Sequence, residues 1–141
     1  MNSSTDKTWV LAFDSRAYPI PSCEEDEDTA RQLAIAVRTQ LMRLGHEPCS
    51  TKLSYGEGLW VFRINHDNTT VKVTLGVFPL AEDSSPRWAL SFIPQKIALL
   101  CFRKVEGIGV DFRREVLNRM KTELHCSNLL WLSNDQFLRL L

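Results

Sequence analysis

The residues able to do chemistry are few and scattered along this chain. His46 and Cys49 (H-x-x-C) and the adjacent His125 and Cys126 supply four side chains that zinc accepts, in two pairs. Structural zinc sites space the two ligands of each pair, as in C-x2-C or H-x3-H, and a neighbouring His-Cys departs from that rule. Surface histidines and packed thiols account for the same residues, so neither a metal nor a cofactor is expected. A hydrolase needs a nucleophile, a base and an orienting group. Each cysteine (Cys23, Cys49, Cys101, Cys126) would have to meet one of the histidines through the fold, and there is no G-x-S-x-G elbow. Acids are too common to single out a glycosidase pair. "GEG" at 56–58 and "GIG" at 107–109 lack the rest of a phosphate-binding fingerprint. No motif fixes a reaction.

Charge is the next resource. The run "EEDED" from Glu24 to Asp28 concentrates acids ahead of a helical pattern. Glu24, Glu25 and Asp26 are candidates for docking a basic partner, although acids at a helix start also oppose the macrodipole. The run lacks the alternating acids and the glycine of a calcium loop. Positive charge gathers in "GLWVFRINHDNTTVKVTLGVFPL", residues 58–80. With Asp67-Asn68 as a two-residue turn, Ile64 falls opposite Val71, Phe62 opposite Val73 and Trp60 opposite Leu75. Three large apolar pairs on one face pin that register, since a one-residue slip would turn every side chain over. The other face then carries Arg63 directly across from Lys72. "RWALSFIP" reads as a neighbouring strand with Trp88, Leu90 and Phe92 inward and Arg87 outward. Arg63, Lys72 and Arg87 form the expected cationic patch. Trp131, in the short apolar "LLWL", is a candidate aromatic anchor at a partner surface.

The elements that must position these residues follow from periodicity. "TWVLAF" (8–13) reads as a first strand. Ala30, Leu33, Ala34, Val37, Leu41 and Leu44 make one apolar helical stripe, with a Ser22–Glu25 capping box or Thr29 at its start and Gly45 at its stop. "HEPCSTKLS" gives a short edge strand. "KIALLCFRKV" (96–105) fits a buried strand or a short helix. A second helix starts near Asp111, with Phe112, Val116, Leu117, Met120 and Leu124 on its apolar side. A brief strand at 129–132 leads into a last helical turn capped by Ser133 and Gln136. The expected fold is one α+β domain, an antiparallel sheet of four to six strands with two main helices packed on one face.

The bulk numbers set limits. The 141 residues are 44% hydrophobic and 24% charged, ordinary for a globular chain. Seventeen basic and seventeen acidic residues cancel, whereas nucleic-acid binders carry a basic excess for the phosphates, so nucleic acid is disfavoured as a partner. No stretch approaches the roughly eighteen apolar residues of a membrane span. "MNSSTDKTWVLAF" lacks the basic start and long apolar core of a signal peptide. Widely spaced cysteines without an export signal point to reduced thiols and a cytoplasmic location.

The order strand–helix–meander–helix, ending in the Trp-containing "NLLWLSNDQF", resembles small bacterial immunity proteins that neutralise secreted toxins. It also has features of secretion chaperones, which are usually acidic dimers; the neutral charge departs from that pattern. The resemblance implies a non-catalytic protein-binding domain, an immunity or adaptor protein that occludes a partner protein. It transfers no functional residue. The alternatives are a ligand-binding or enzymatic domain with a pocket between sheet and helices, or a secretion chaperone, and a homodimer is compatible with each.

Overall fold

Strand β1 (Trp9–Asp14) is apolar without interruption from Trp9 to Phe13, and Val10, Leu11, Ala12 and Phe13 are all buried. A strand open to water on one side alternates polar and apolar residues; a continuous run needs cover on both sides. The computed structural model, which describes residues 8–20, 27–44, 53–66, 69–79, 86–95 and 108–141, provides that cover. It is an α+β structure with a six-stranded sheet in the order β2-β3-β4-β5-β1-β6, where β2 is Ser54–Gly56, β3 Leu59–His66, β4 Thr69–Phe78, β5 Arg87–Gln95 and β6 Ser127–Ser133. Every pairing is antiparallel. The first strand of the chain thus lies between β5 and the last strand, β6.

The β3–β4 hairpin has the expected register. Trp60 pairs with Leu75, Phe62 with Val73 and Ile64 with Val71, and Arg63 lies across from Lys72. The last pair, His66 with Thr69, leaves residues 67 and 68 as the connection, which lies outside the described residues. Strands β2 and β3 turn through Glu57 and Gly58, both at positive φ (54° and 80°), the combination of a two-residue primed turn.

Helices α1 (Glu27–Arg43) and α2 (Val110–Thr122) share one face of the sheet. Leu33, Ala34, Val37 and Leu41 of α1 and Phe112, Val116 and Met120 of α2 form one core with Leu11, Phe13, Phe62, Ile64, Val73, Trp88, Leu90 and Phe92. Trp88 is buried within it and donates its indole N–H to the Tyr18 carbonyl at 2.8 Å. Gly45, the Ser22–Glu25 box and residues 96–105 lie outside the described residues.

A third helix, α3 (Asn134–Leu140), packs on the opposite face. Its capping box is complete: Ser133 Oγ accepts from the Gln136 N–H at 3.3 Å, and Gln136 Oε1 accepts from the Ser133 N–H at 2.8 Å. Phe137 joins Val10, Ala12, Ala89 and Leu132 in a second small core and meets Phe78 edge-on at 5.3 Å. Among the described residues the sheet therefore carries two main helices on one side, as expected, and a short third helix on the other.

Replacing Phe137 by Ala removes the anchor of α3 and lowers unfolding free energy by about 3 kcal/mol. Ser133→Ala, which loses only the cap, costs about 1 kcal/mol. Urea unfolding followed by circular dichroism measures both.

Candidate functional site

Side chains of the outer face, the one bearing α3, can be placed row by row from the strand registers. Arg63 and Asn65 on β3, Thr70, Lys72 and Thr74 on β4, and Ser91, Ile93 and Gln95 on β5 share it. Thr74 and Ser91 are paired and buried; Arg63, Lys72 and Gln95 are half-buried. Arg63 Nε donates to Gln95 Oε1 at 3.0 Å, reaching across β4 and fixing the plane of its guanidinium. That geometry leaves the outer guanidinium nitrogens for a further acceptor. The Lys72 ammonium has no hydrogen-bond or ion-pair partner among the described residues. The only carboxylate that the described strands present on this face is Asp14, at the far end of β1.

Arg87 belongs to a different structure. It shares the face, but lies at the start of β5, six residues from Ile93, the β5 partner of Lys72. At a rise of about 3.3 Å per residue that is about 20 Å away. Its Nε donates to Asp14 Oδ1 at 3.1 Å, and its Nη2 to the Asn128 carbonyl. Asn128 in turn donates its side-chain amide to Asp14 Oδ2 at 2.8 Å. Arg87 thus ties β5, β1 and β6 together where β1 and β6 shift register between Ala12 and Asp14. The expected patch of three cations is two cations and a separate clamp.

Trp131 lies on the inner face, half-buried. Its indole donates to the Arg113 carbonyl at 3.1 Å, and its ring lies 5.6 Å from that of Phe92. The Arg113 guanidinium stacks 3.7 Å over the Trp9 ring. His66, at the end of β3, packs against Phe112 at 4.5 Å. These aromatics seat the start of α2. Sequence reading did not single out Arg113, Gln95 or Asp14, because each takes its role from a partner distant in the chain. Glu24, Glu25 and Asp26 lie outside the described residues.

Cys126 is buried, and burial pushes its thiol up to about 11, partly offset by a hydrogen bond with Ser15. An activated nucleophile requires the reverse shift. His125 beside it is exposed, at positive φ. No group of three or more metal-binding side chains occurs among the described residues, and His46 and Cys49 lie outside them. Among the described residues two buried polar atoms, Gln40 Oε1 and Trp60 Nε1, lack hydrogen-bond partners. No helix among the described residues is long and apolar enough to cross a membrane. Comparison with family models, with curated proteins and with solved structures found no match.

Two outcomes separate these roles. Arg87→Ala lowers stability by about 1–3 kcal/mol in urea, as a lost charge-assisted hydrogen bond does, while Arg63→Ala stays within about 0.5 kcal/mol. The Cys126 thiol contributes stability that is fully present below about pH 9 and is lost as pH rises toward about 11. The sign follows because the unfolded thiol ionises first. Melts of wild type and Cys126→Ala across that range should therefore show a steeper alkaline loss for wild type.

Proposed function

We propose that this protein is a non-catalytic binding domain that captures an acidic protein partner on the Arg63–Lys72 part of its outer sheet face, as an immunity or adaptor protein occludes its target. The carrying observation is the pairing of Arg63 with Lys72 with no carboxylate beside them on the described strands. Like charges directly opposite each other cost stability in the free protein, and an incoming carboxylate relieves that cost. Arg63 is already oriented by Gln95, so less side-chain freedom is lost when its fork meets a carboxylate. Buried Thr74 and Ser91 make the floor beside the two cations firm.

A ligand-binding or enzymatic domain has less support. Between the sheet and α1–α2 lies a close apolar core in which Phe62, Phe92, Leu33 and Leu41 are fully buried. The Cys126 thiol is held protonated.

The test is co-purification from the native host followed by titration calorimetry with the partner recovered. Arg63→Glu/Lys72→Glu should weaken binding by at least about tenfold, with a reduced salt dependence, because each charge contributes to a rim-type electrostatic contact. Arg114→Glu, on the exposed side of α2, serves as a control for net charge. Unchanged affinity in the double reversal, with circular dichroism matching wild type, would eliminate this face as the binding site.

A further inference from the structure

Among the described residues strand β6 is an edge of the sheet, and its backbone pattern shows which groups face outward. Antiparallel ladders alternate between residues bonded to the neighbouring strand and residues whose N–H and C=O point away from it. The Asn134 N–H donates to the Thr8 carbonyl at 3.1 Å, so position 134 is turned toward β1. The Ser133 N–H is turned away and goes to its own helix cap. Counting back, Leu132 and Leu130 bond to Val10 and Ala12, while Trp131 and Leu129 present their N–H and C=O groups to the open edge. Below them the run ends, because Asn128 is at positive φ and its carbonyl is taken by Arg87.

We propose that β6 pairs antiparallel with β6 of a second copy of this chain, about a two-fold axis through Leu130. In that register Leu129 of each copy exchanges both N–H···O bonds with Trp131 of the other. Leu130 meets its own counterpart in a non-hydrogen-bonded pair, with Cα atoms about 4.5 Å apart. Leu130 is 48% exposed, unusual for a leucine in a strand centre, and self-pairing covers it.

Three observations favour a second copy over a foreign strand. The outward groups sit symmetrically about Leu130, so an identical strand satisfies them reciprocally. Residues 127–133 contain no charge, whereas a foreign partner is usually selected and oriented by complementary charge. The neighbouring helix α3 carries one charge of each sign, Asp135 and Arg139, so joining two copies does not accumulate like charge. Edge strands that stay single are normally guarded by lysine, proline, a bulge or shortness. The opposite edge, β2, is only three residues long; residues 129–132 of β6 contain no lysine or proline, and the one irregularity of this strand, its register shift against β1, lies below Leu130.

Sedimentation equilibrium of the full chain tests this directly, with a concentration-dependent dimer expected. Leu130→Lys places like charges opposite each other and should shift the protein to monomer with unchanged circular dichroism. Leu130→Cys should form an interchain disulfide on mild oxidation, because the expected Cα separation lies in the disulfide range. Ser127→Cys, which does not face its own copy, and wild type with its native cysteines should not. A wild-type monomer at every concentration overturns the proposal. So does a dimer that survives Leu130→Lys and is not cross-linked by Leu130→Cys. Because Arg63 and Lys72 lie on other strands, loss of the dimer leaves the cationic-face reading to its own test.

Discussion

Burial of β1 on both sides is the constraint from which the rest of this architecture follows. Val10 and Ala12 project to one face and Leu11 and Phe13 to the other, and none is exposed to water. A strand of this kind is stable only inside the sheet, with a layer of apolar side chains above and below it. Helices α1 and α2 supply one layer through a broad core. The second layer need only reach β1 and its neighbours, and a helix of seven residues anchored by Phe137 suffices. Because α3 begins directly after β6, its reach over the sheet is short. Among the described residues no helix reaches the outer side of β3 and β4 around Arg63 and Lys72, which stand there among threonine, serine, asparagine and glutamine with Val61 and Ile93 beside them.

The same economy of cover explains the different fates of the arginines. At the β1 end of the outer face Arg87 has Asp14 within reach, together with a carbonyl exposed by the positive φ of Asn128. Those acceptors exist because the β1–β6 ladder breaks register there. A guanidinium with its fork filled is a structural clamp. Among the described residues Arg63 has a single neutral acceptor, the Gln95 amide oxygen, which orients the group without neutralising it. On the inner side, Arg113 lies against the Trp9 ring, and desolvation lowers its tendency to hold a proton; its work is done in seating α2.

Much of the fold was legible in the sequence because it is written in local periods. Trp60, Phe62 and Ile64 alternate with polar residues, as do Val71, Val73 and Leu75, and a period of two across a short turn leaves one acceptable register. The α2 stripe and the Ser133–Gln136 box are equally local. The strand order was not legible, since the placement of β1 between β5 and β6 depends on contacts between chain ends. That non-local step also explains the treatment of Arg87. Its parity on the outer face was read correctly, but its distance along β5 from Lys72 and its partner Asp14 arise only when β1 joins β5. Likewise "LLWL" is apolar in sequence without showing which of its residues faces α2: Trp131 turns inward and Leu130 outward.

The distribution of rings over the two faces bears on what the open cations can recognise. Trp9, Phe92, Phe112 and Trp131 cluster under α2 on the inner face, with their planes engaged by one another or by Arg113. The strands around Arg63 and Lys72 present asparagine, threonine, serine and glutamine outward, with Ile93 the nearest large apolar side chain. Single-stranded nucleic acid gains much of its binding energy by stacking bases on aromatic rings beside the cations. The ring that those strands do turn to this face, Phe78 of β4, lies six residues from Lys72 and against Phe137, so beside the cations a strand of nucleic acid gains only the phosphate contribution, which weakens steeply with salt. Carboxylates need no stacking surface. They gain from a bidentate guanidinium, a neighbouring ammonium and small hydroxyl and amide groups at close range, and this combination is what β3, β4 and β5 present.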